Sequence, residues 1–134
     1  MSNVEVMRGL YDAFAQGDIP TVLGGMDSNI EWREAEGHPY QPSGEPWRGP
    51  EAILENLFVK LGADWDGTFA VHPKGFHDAG DTVVVEARYT GTHKASGKAL
   101  DAQVCHVWNL RDGKVTSFQQ YTDTAQFQNV MGAS

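Results

Sequence analysis

Apolar positions recur at helical spacing in the first part of the chain and alternate in its second half. Val4, Met7, Leu10, Tyr11 and Phe14 fall on one helical stripe. Ser2-Asn3-Val4-Glu5 ahead of them fits a capping box, in which Ser2 and Glu5 satisfy free backbone donors. Gly17 is placed to end that helix, and Asp18 to cap a short second one carrying Ile19, Val22, Leu23 and Met26. From Asn29 to Glu34 the period changes to two, with Ile30, Trp32 and Glu34 on one face and Glu31 and Arg33 on the other. Ala35 to Gly49 reads as a loop broken by Pro and Gly, yet it carries Tyr40 and Trp47, as the rim or lid of a site does. Gly49-Pro50-Glu51 starts a third helix with a buried stripe of Leu54, Leu57, Phe58 and Leu61, and Gly62 is placed to end it.

Strand patterns fill the remainder. Thr68 to Phe76 contains Pro73, which predicts an edge or a bulge. Asp78 to Asp81 is a turn, and Thr82 to Thr92 is strongly β-forming. Ala99 to Asp123 reads as a long hairpin about Asp112-Gly113, the dipeptide suited to a type I′ connection. With Arg111 opposite Lys114, regular pairing sets Cys105 against Gln120, Val107 against Phe118 and Gln103 against Thr122. These six residues share one face, and Val104, His106, Trp108, Leu110, Val115, Gln119 and Tyr121 share the other; one face is predicted to line a cavity and the other to meet a partner chain. A one-residue slip would exchange the two faces. A short closing helix is predicted over 124–130. The order of elements predicts one α+β domain over residues 1–134, with helices packed on one side of a curved antiparallel sheet.

Composition narrows the class of partner. The chain has 134 residues, 40% of them hydrophobic and 21% charged, enough for one core. A formal net charge of −8 with no cluster of Lys and Arg argues against nucleic acid and anionic membranes. No apolar run approaches the roughly 20 residues that span a bilayer. The single Cys105 cannot form an internal disulfide, and no basic, then apolar, leader opens the chain. A cytoplasmic setting is the expectation. The five histidines show no ligand spacing and there is no phosphate-binding loop, so neither a metal nor a cofactor is expected.

LYDAFAQGDI, IEWREAEG, WRGPEAI, GDTVVVEARYTGT and HVWNLRDGKVTSFQQYTDTA, in that order and spacing, resemble the nuclear transport factor 2-like superfamily. The likeness is to its SnoaL-like, ketosteroid isomerase-related branch, and it spans nearly the whole chain. It implies a cystatin-like, cone-shaped α+β barrel wrapped around N-terminal helices, with a deep pocket and a homodimer formed through the outer face of the sheet. The superfamily holds isomerases, cyclases, epoxide hydrolases, dehydratases and pure binding proteins, so function rests on pocket residues.

The isomerases' carboxylate base corresponds to Glu34, beside Trp32. A carboxylate on an apolar cavity face is desolvated, which raises its basicity. At the pocket rim the same residue would instead pair with Arg33, Arg48 or Arg88. Glu36 and His38 follow directly and could take the same part as base, although each reads more simply as an exposed loop residue. The isomerases' oxyanion tyrosine corresponds to Leu10, next to Tyr11, and their protonated aspartate to Cys105. A thiol is a weak donor, so true steroid isomerisation is not expected. Polyketide cyclases and epoxide hydrolases place an aspartate two residues past an aromatic in the last strand. Phe118 and Gln120 stand there, and an amide is neither acid nor base. Cys105 and His106 face opposite ways on a strand and form no nucleophilic pair. His106 reads as a satisfied interface or core histidine.

The sequence therefore predicts an apolar small-molecule pocket. Its candidates are Phe14, Trp32, Tyr40, Trp47, Phe58, Tyr89, Gln103, Cys105, Val107 and Phe118. Glu34 would act as base in an isomerase- or cyclase-like proton transfer, with Gln120 and Tyr11 orienting the substrate. The alternatives are a module that binds a hydrophobic ligand without turnover, and an epoxide hydrolase or dehydratase-like lyase.

Overall fold

The computed structural model of the chain describes residues 1–132. Its first helix begins as the capping box requires. The Ser2 hydroxyl accepts from Glu5 N–H at 3.1 Å, and the Glu5 carboxylate accepts from Ser2 N–H at 3.3 Å. This helix, α1 (Asn3–Ala15), is followed by a glycine at φ +74° and by α2 (Ile19–Gly24), capped by Asp18. Next come β1 (Met26–Arg33), β2 (Trp47–Arg48) and α3 (Pro50–Ile53). A π-helical turn (Leu54–Phe58) leads into α4 (Val59–Trp65). The chain then forms β3 (Ala70–Ala79), β4 (Thr82–Thr92), β5 (Ala99–Arg111), β6 (Lys114–Thr122) and α5 (Thr124–Met131). Among the described residues no helix is long and apolar enough to cross a membrane.

The six strands form one curved sheet in the order β2-β1-β6-β5-β4-β3. Its neighbours are antiparallel except β1 and β6, which run parallel, where the sequence predicts a wholly antiparallel sheet. β1 and β6 are joined through most of the domain rather than by a hairpin, and only such a long connection permits a parallel pair. β3 is an edge strand with a bulge between Pro73 and Gly75, as its proline requires. Trp47 and Arg48, predicted as loop, form the other edge by pairing with Trp32 and Glu31. The third helix runs past Gly62 to Trp65, whose fully buried indole anchors the last turn; Asp66, at φ +49°, ends it.

The hairpin departs from its predicted register. Asp112 and Gly113 form the turn with φ of +52° and +76°, and Arg111 faces Lys114. The ladder then skips one residue: Leu110 pairs with Val115, but Asn109 pairs with Ser117, leaving Thr116 as a bulge. The Thr116 hydroxyl donates to the Asn109 carbonyl at 3.2 Å, which stabilises the extra residue. Beyond the bulge Trp108 faces Phe118, His106 faces Gln120 and Cys105 faces Tyr121. Burial explains why this register wins. Val115 and Phe118 both turn inwards, at 0% and 3% exposure, and their spacing of three suits one face only if a residue is inserted between them. Val104, His106, Trp108 and Leu110 therefore point into the core. Gln103, Cys105 and Val107 lie on the outer face instead of the cavity face.

Candidate functional site

A cavity lies between α1, the π-helical turn, α4 and the inner face of the sheet. The volume open to water centres is about 80 Å³, several times the roughly 10–15 Å³ that holds one water on that measure. Its walls are largely aromatic: Phe14, Trp32, Phe58, Trp108 and Phe118 meet around it, with Trp32 and Phe118 centroids 3.9 Å apart. The π-helical turn presents Leu57 and Phe58 to the same space.

Two sets of polar groups interrupt this lining. The first is centred on His106, 5% exposed. Its Nδ1 lies 2.5 Å from the Tyr11 hydroxyl and its Nε2 lies 2.6 Å from the Tyr89 hydroxyl. Trp108 Nε1 donates to the Tyr11 oxygen at 2.8 Å, and Gln120 Nε2 donates to the Tyr89 oxygen at 2.9 Å. Gln120 Oε1 accepts from the Ala35 N–H at 3.1 Å, which fixes the orientation of the amide. Burial pushes His106 down to about 3, so its ring is neutral. It also raises both phenols, which stay protonated.

The second set lies at the end of β1. Alternation carries Glu34 to the inner face with Ile30 and Trp32, leaving it 5% exposed. Its N–H donates to Gln41 Oε1 at 2.9 Å, and Gln41 Nε2 donates to the Trp32 carbonyl at 3.1 Å. This clamp folds the loop over the strand end. The Glu34 side chain has no such partner. Its Oε2 is buried without a hydrogen bond, and so is Trp32 Nε1 among the described residues. Arg33 and Arg48 pair with Glu31, and Arg88 pairs with Asp101, so none of them neutralises Glu34. Burial raises Glu34 to about 8, and the neighbouring Trp32 indole, outside hydrogen-bond geometry, offsets this only in part.

His38 joins the site although it reads as an exposed loop residue. It is 2% exposed, packs 4.5 Å from the Phe127 centroid and lines the cavity. Its Nδ1 accepts from Tyr40 N–H at 3.1 Å, which places the hydrogen of the neutral ring on Nε2. Burial lowers His38 to about 4. An isolated histidine in a Pro/Gly loop carries no periodicity that would place it. Regular alternation sets His106 and Trp108 on the face opposite Phe118 and Gln120 and hides the bulge, for which the Val115–Phe118 spacing is the available signal.

Of the predicted pocket residues, Phe14, Trp32, Phe58, Tyr89 and Phe118 line the cavity, together with Tyr11, Glu34 and Gln120. Tyr40 does not. Its hydroxyl donates to Asp64 Oδ2 at 2.6 Å and accepts from Trp65 Nε1 at 3.3 Å, so it ties the loop to α4. Trp47 packs at the sheet edge opposite Trp32, outside the lining. Gln103, Cys105 and Val107 are excluded by the bulge. Cys105 faces Glu86 and Tyr121, and partial burial and the Glu86 carboxylate raise its thiol, the opposite of a reactive thiolate.

Comparison with known proteins agrees with this architecture. The family model described as "SnoaL-like domain" matches residues 7–118. No curated protein matches the chain in sequence. An NTF2-like protein from Burkholderia thailandensis has 33% identity, with 98% of each chain covered and a TM-score of 0.90. TerC, co-crystallized with polyporic acid, has 29% identity over 98% of each chain and a TM-score of 0.84. Bal32a, from a soil-derived mobile gene cassette, has 26% identity over 96% of this chain and 95% of its own, with a TM-score of 0.84. The chain belongs to the SnoaL-like domain family of the NTF2-like superfamily.

Proposed function

We propose that the protein is a cofactor-independent enzyme that moves a proton on an apolar small organic molecule, with Glu34 as the base. The observation that carries this reading is the buried, unpartnered Glu34 Oε2 in an aromatic cavity. An uncompensated carboxyl group costs stability, and a substrate hydrogen would supply the missing partner. Burial raises its basicity to the range where proton abstraction is effective near neutral pH. Gln120 is bonded to the protein at both ends, so it serves by holding Tyr89 and the Ala35 backbone. The likeness to TerC, a protein co-crystallized with polyporic acid, supports a small organic ligand.

Hydrogen–deuterium exchange tests the reading. Apolar ring compounds incubated in D2O with the protein should gain deuterium, at a rate that rises with pH through about 8. Glu34→Gln should abolish the gain, and an unchanged rate in that variant would exclude Glu34 as base.

Ligand binding without turnover is the second reading. It is favoured by Glu34 being the only carboxyl among the described residues that line the cavity, so no second acid is present to complete a cyclase or hydrolase pair. Tight binding with no exchange for any compound would select it.

The partner that fits the outer sheet face is a second copy of this chain. Tyr121 is 58% exposed there, beside the half-buried Cys105, Val107 and Gln119. Native mass spectrometry at micromolar concentration should show a dimer that Tyr121→Lys weakens; a wild-type monomer would count against it.

A further inference from the structure

The hydrogens of the Tyr11–His106–Tyr89 chain can be counted. Each phenol has one hydrogen to donate, and the oxygen of each already accepts an N–H, from Trp108 at Tyr11 and from Gln120 at Tyr89. Neither of those donors can be reversed. Indole N–H is donor only, and the Gln120 amide is fixed by the Ala35 N–H on its oxygen. The neutral imidazole between the phenols has one N–H and one acceptor nitrogen. If the hydrogen is on Nε2, it is donated to Tyr89 while Tyr11 donates to Nδ1. The Tyr89 oxygen then accepts twice and its own hydrogen has no taker. If the hydrogen is on Nδ1, the roles exchange and Tyr11 keeps the spare hydrogen. Among the described residues, neither hydroxyl has another acceptor within hydrogen-bond distance. Both tyrosines line the cavity.

We infer that Tyr11, His106 and Tyr89 form a tautomer switch that offers the cavity one phenolic hydrogen at a time, and that the ligand answers it with a carbonyl oxygen. A buried O–H without an acceptor is a standing cost, and an acceptor on the ligand removes it. The alternative, an imidazolium donating to both phenols, would leave two spare hydrogens, and burial opposes that charge. The aromatic walls fix the remainder of the ligand as an apolar ring. His106 is thereby a positioning residue, since it acts on the ligand through whichever tyrosine it releases. The inference rests on the cavity being a ligand site and not on Glu34 moving a proton.

Nitrogen-15 NMR of the His106 ring tests the switch directly. In Tyr11→Phe the proton should sit on Nε2, where it still finds the Tyr89 oxygen. In Tyr89→Phe it should sit on Nδ1, facing Tyr11. The same nitrogen protonated in both variants would overturn the switch. Acetophenone and ethylbenzene, titrated by NMR, test the ligand class. Either single variant retains one phenolic donor, so its ketone-to-hydrocarbon affinity ratio should stay within about twofold of wild type. The double variant has none, and its ratio should fall about tenfold, as the loss of one hydrogen bond implies. A double variant that keeps the wild-type ratio, or a wild type that does not bind the ketone, would overturn the carbonyl assignment. If the double variant fails to fold, the wild-type His106 nitrogen shifts decide. Acetophenone should move them and ethylbenzene should not, and an equal response to both rejects the proposal. Glu34→Gln should leave the position of the His106 proton in each tyrosine variant unchanged, since Glu34 has no hydrogen bond to Tyr11, His106 or Tyr89. Loss of deuterium exchange alone would therefore bear on proton transfer and leave the switch standing.

Discussion

His106 and Glu34 face the same cavity and are equally buried, yet their surroundings are opposite. Both ring nitrogens of His106 have hydroxyl partners, and those hydroxyls are held in turn by Trp108 and Gln120. The Glu34 backbone is clamped by Gln41, but its Oε2 is left without a hydrogen bond. A buried network in which every member is bonded orders the core even with one phenolic hydrogen to spare, whereas a carboxyl oxygen with no bond at all is a larger cost that the fold tolerates. The contrast teaches where to look for chemistry. The His106 end leaves one phenolic hydrogen without an acceptor, and the Glu34 end leaves a carboxyl oxygen without any bond.

Removing the orphan should have the largest effect on stability. Glu34 has its folded value raised from 4.5 to about 8, so the favourable neutral form is fully available below about pH 4.5 and is lost as pH rises through 8. Glu34→Gln should therefore match wild type near pH 4 and exceed it at pH 9 by roughly 3–5 kcal/mol, as measured by urea unfolding. The two buried histidines act on the other side. Their folded values are depressed to about 4 and about 3, so the stability they allow is lost as pH falls below their unfolded value of 6.5. Together the three groups place maximal wild-type stability near about pH 6.5, and Glu34→Gln should hold a plateau above that point. A wild-type optimum above pH 8 would show that Glu34 is not desolvated.

Breaking the bonded network at His106 should cost somewhat less. His106→Leu preserves apolar volume but strips both phenols of their shared partner, which should destabilise by about 3 kcal/mol. A smaller loss than that of Tyr11→Phe would mean that the network adds nothing. Gln41→Ala removes the clamp beneath Glu34 and should cost about 1–2 kcal/mol. It should also loosen the loop, read as faster amide exchange at Glu34. The smallest change belongs to the outer face. Cys105→Ser should shift stability by less than about 0.5 kcal/mol, because the residue is half-exposed and outside the cavity. A large loss in the monomer would return Cys105 to the core.

Much of the frame was legible because it depends on local rules. The Ser2–Glu5 box, the Asp18 cap, the Pro50 helix start and the Asp112-Gly113 turn each follow from a few adjacent residues. Glu34 was legible as an inward group because an unbroken alternation from Ile30 carries it there. The cavity wall of β5 was not. One inserted residue at Thr116 exchanges the faces of everything beyond it, and a single bulge leaves only the Val115–Phe118 spacing as a trace. The site residues lost to this were Gln103, Cys105 and Val107; those gained were His106 and Trp108.

The sequence by itself determined the order of helices and strands, the α+β class and the inward Glu34, since helical and strand periods are written over neighbouring residues. Tertiary structure alone decided the parallel β1–β6 pair, the short β2 edge, the folding of His38 into the cavity and the inward turn of His106. Each of these depends on partners far apart in the chain. Tyr11 and His106 are 95 positions apart, and Ala35 and Gln120 are 85. What the fold adds is the set of hydrogen-bond partners that each buried group finds, or fails to find.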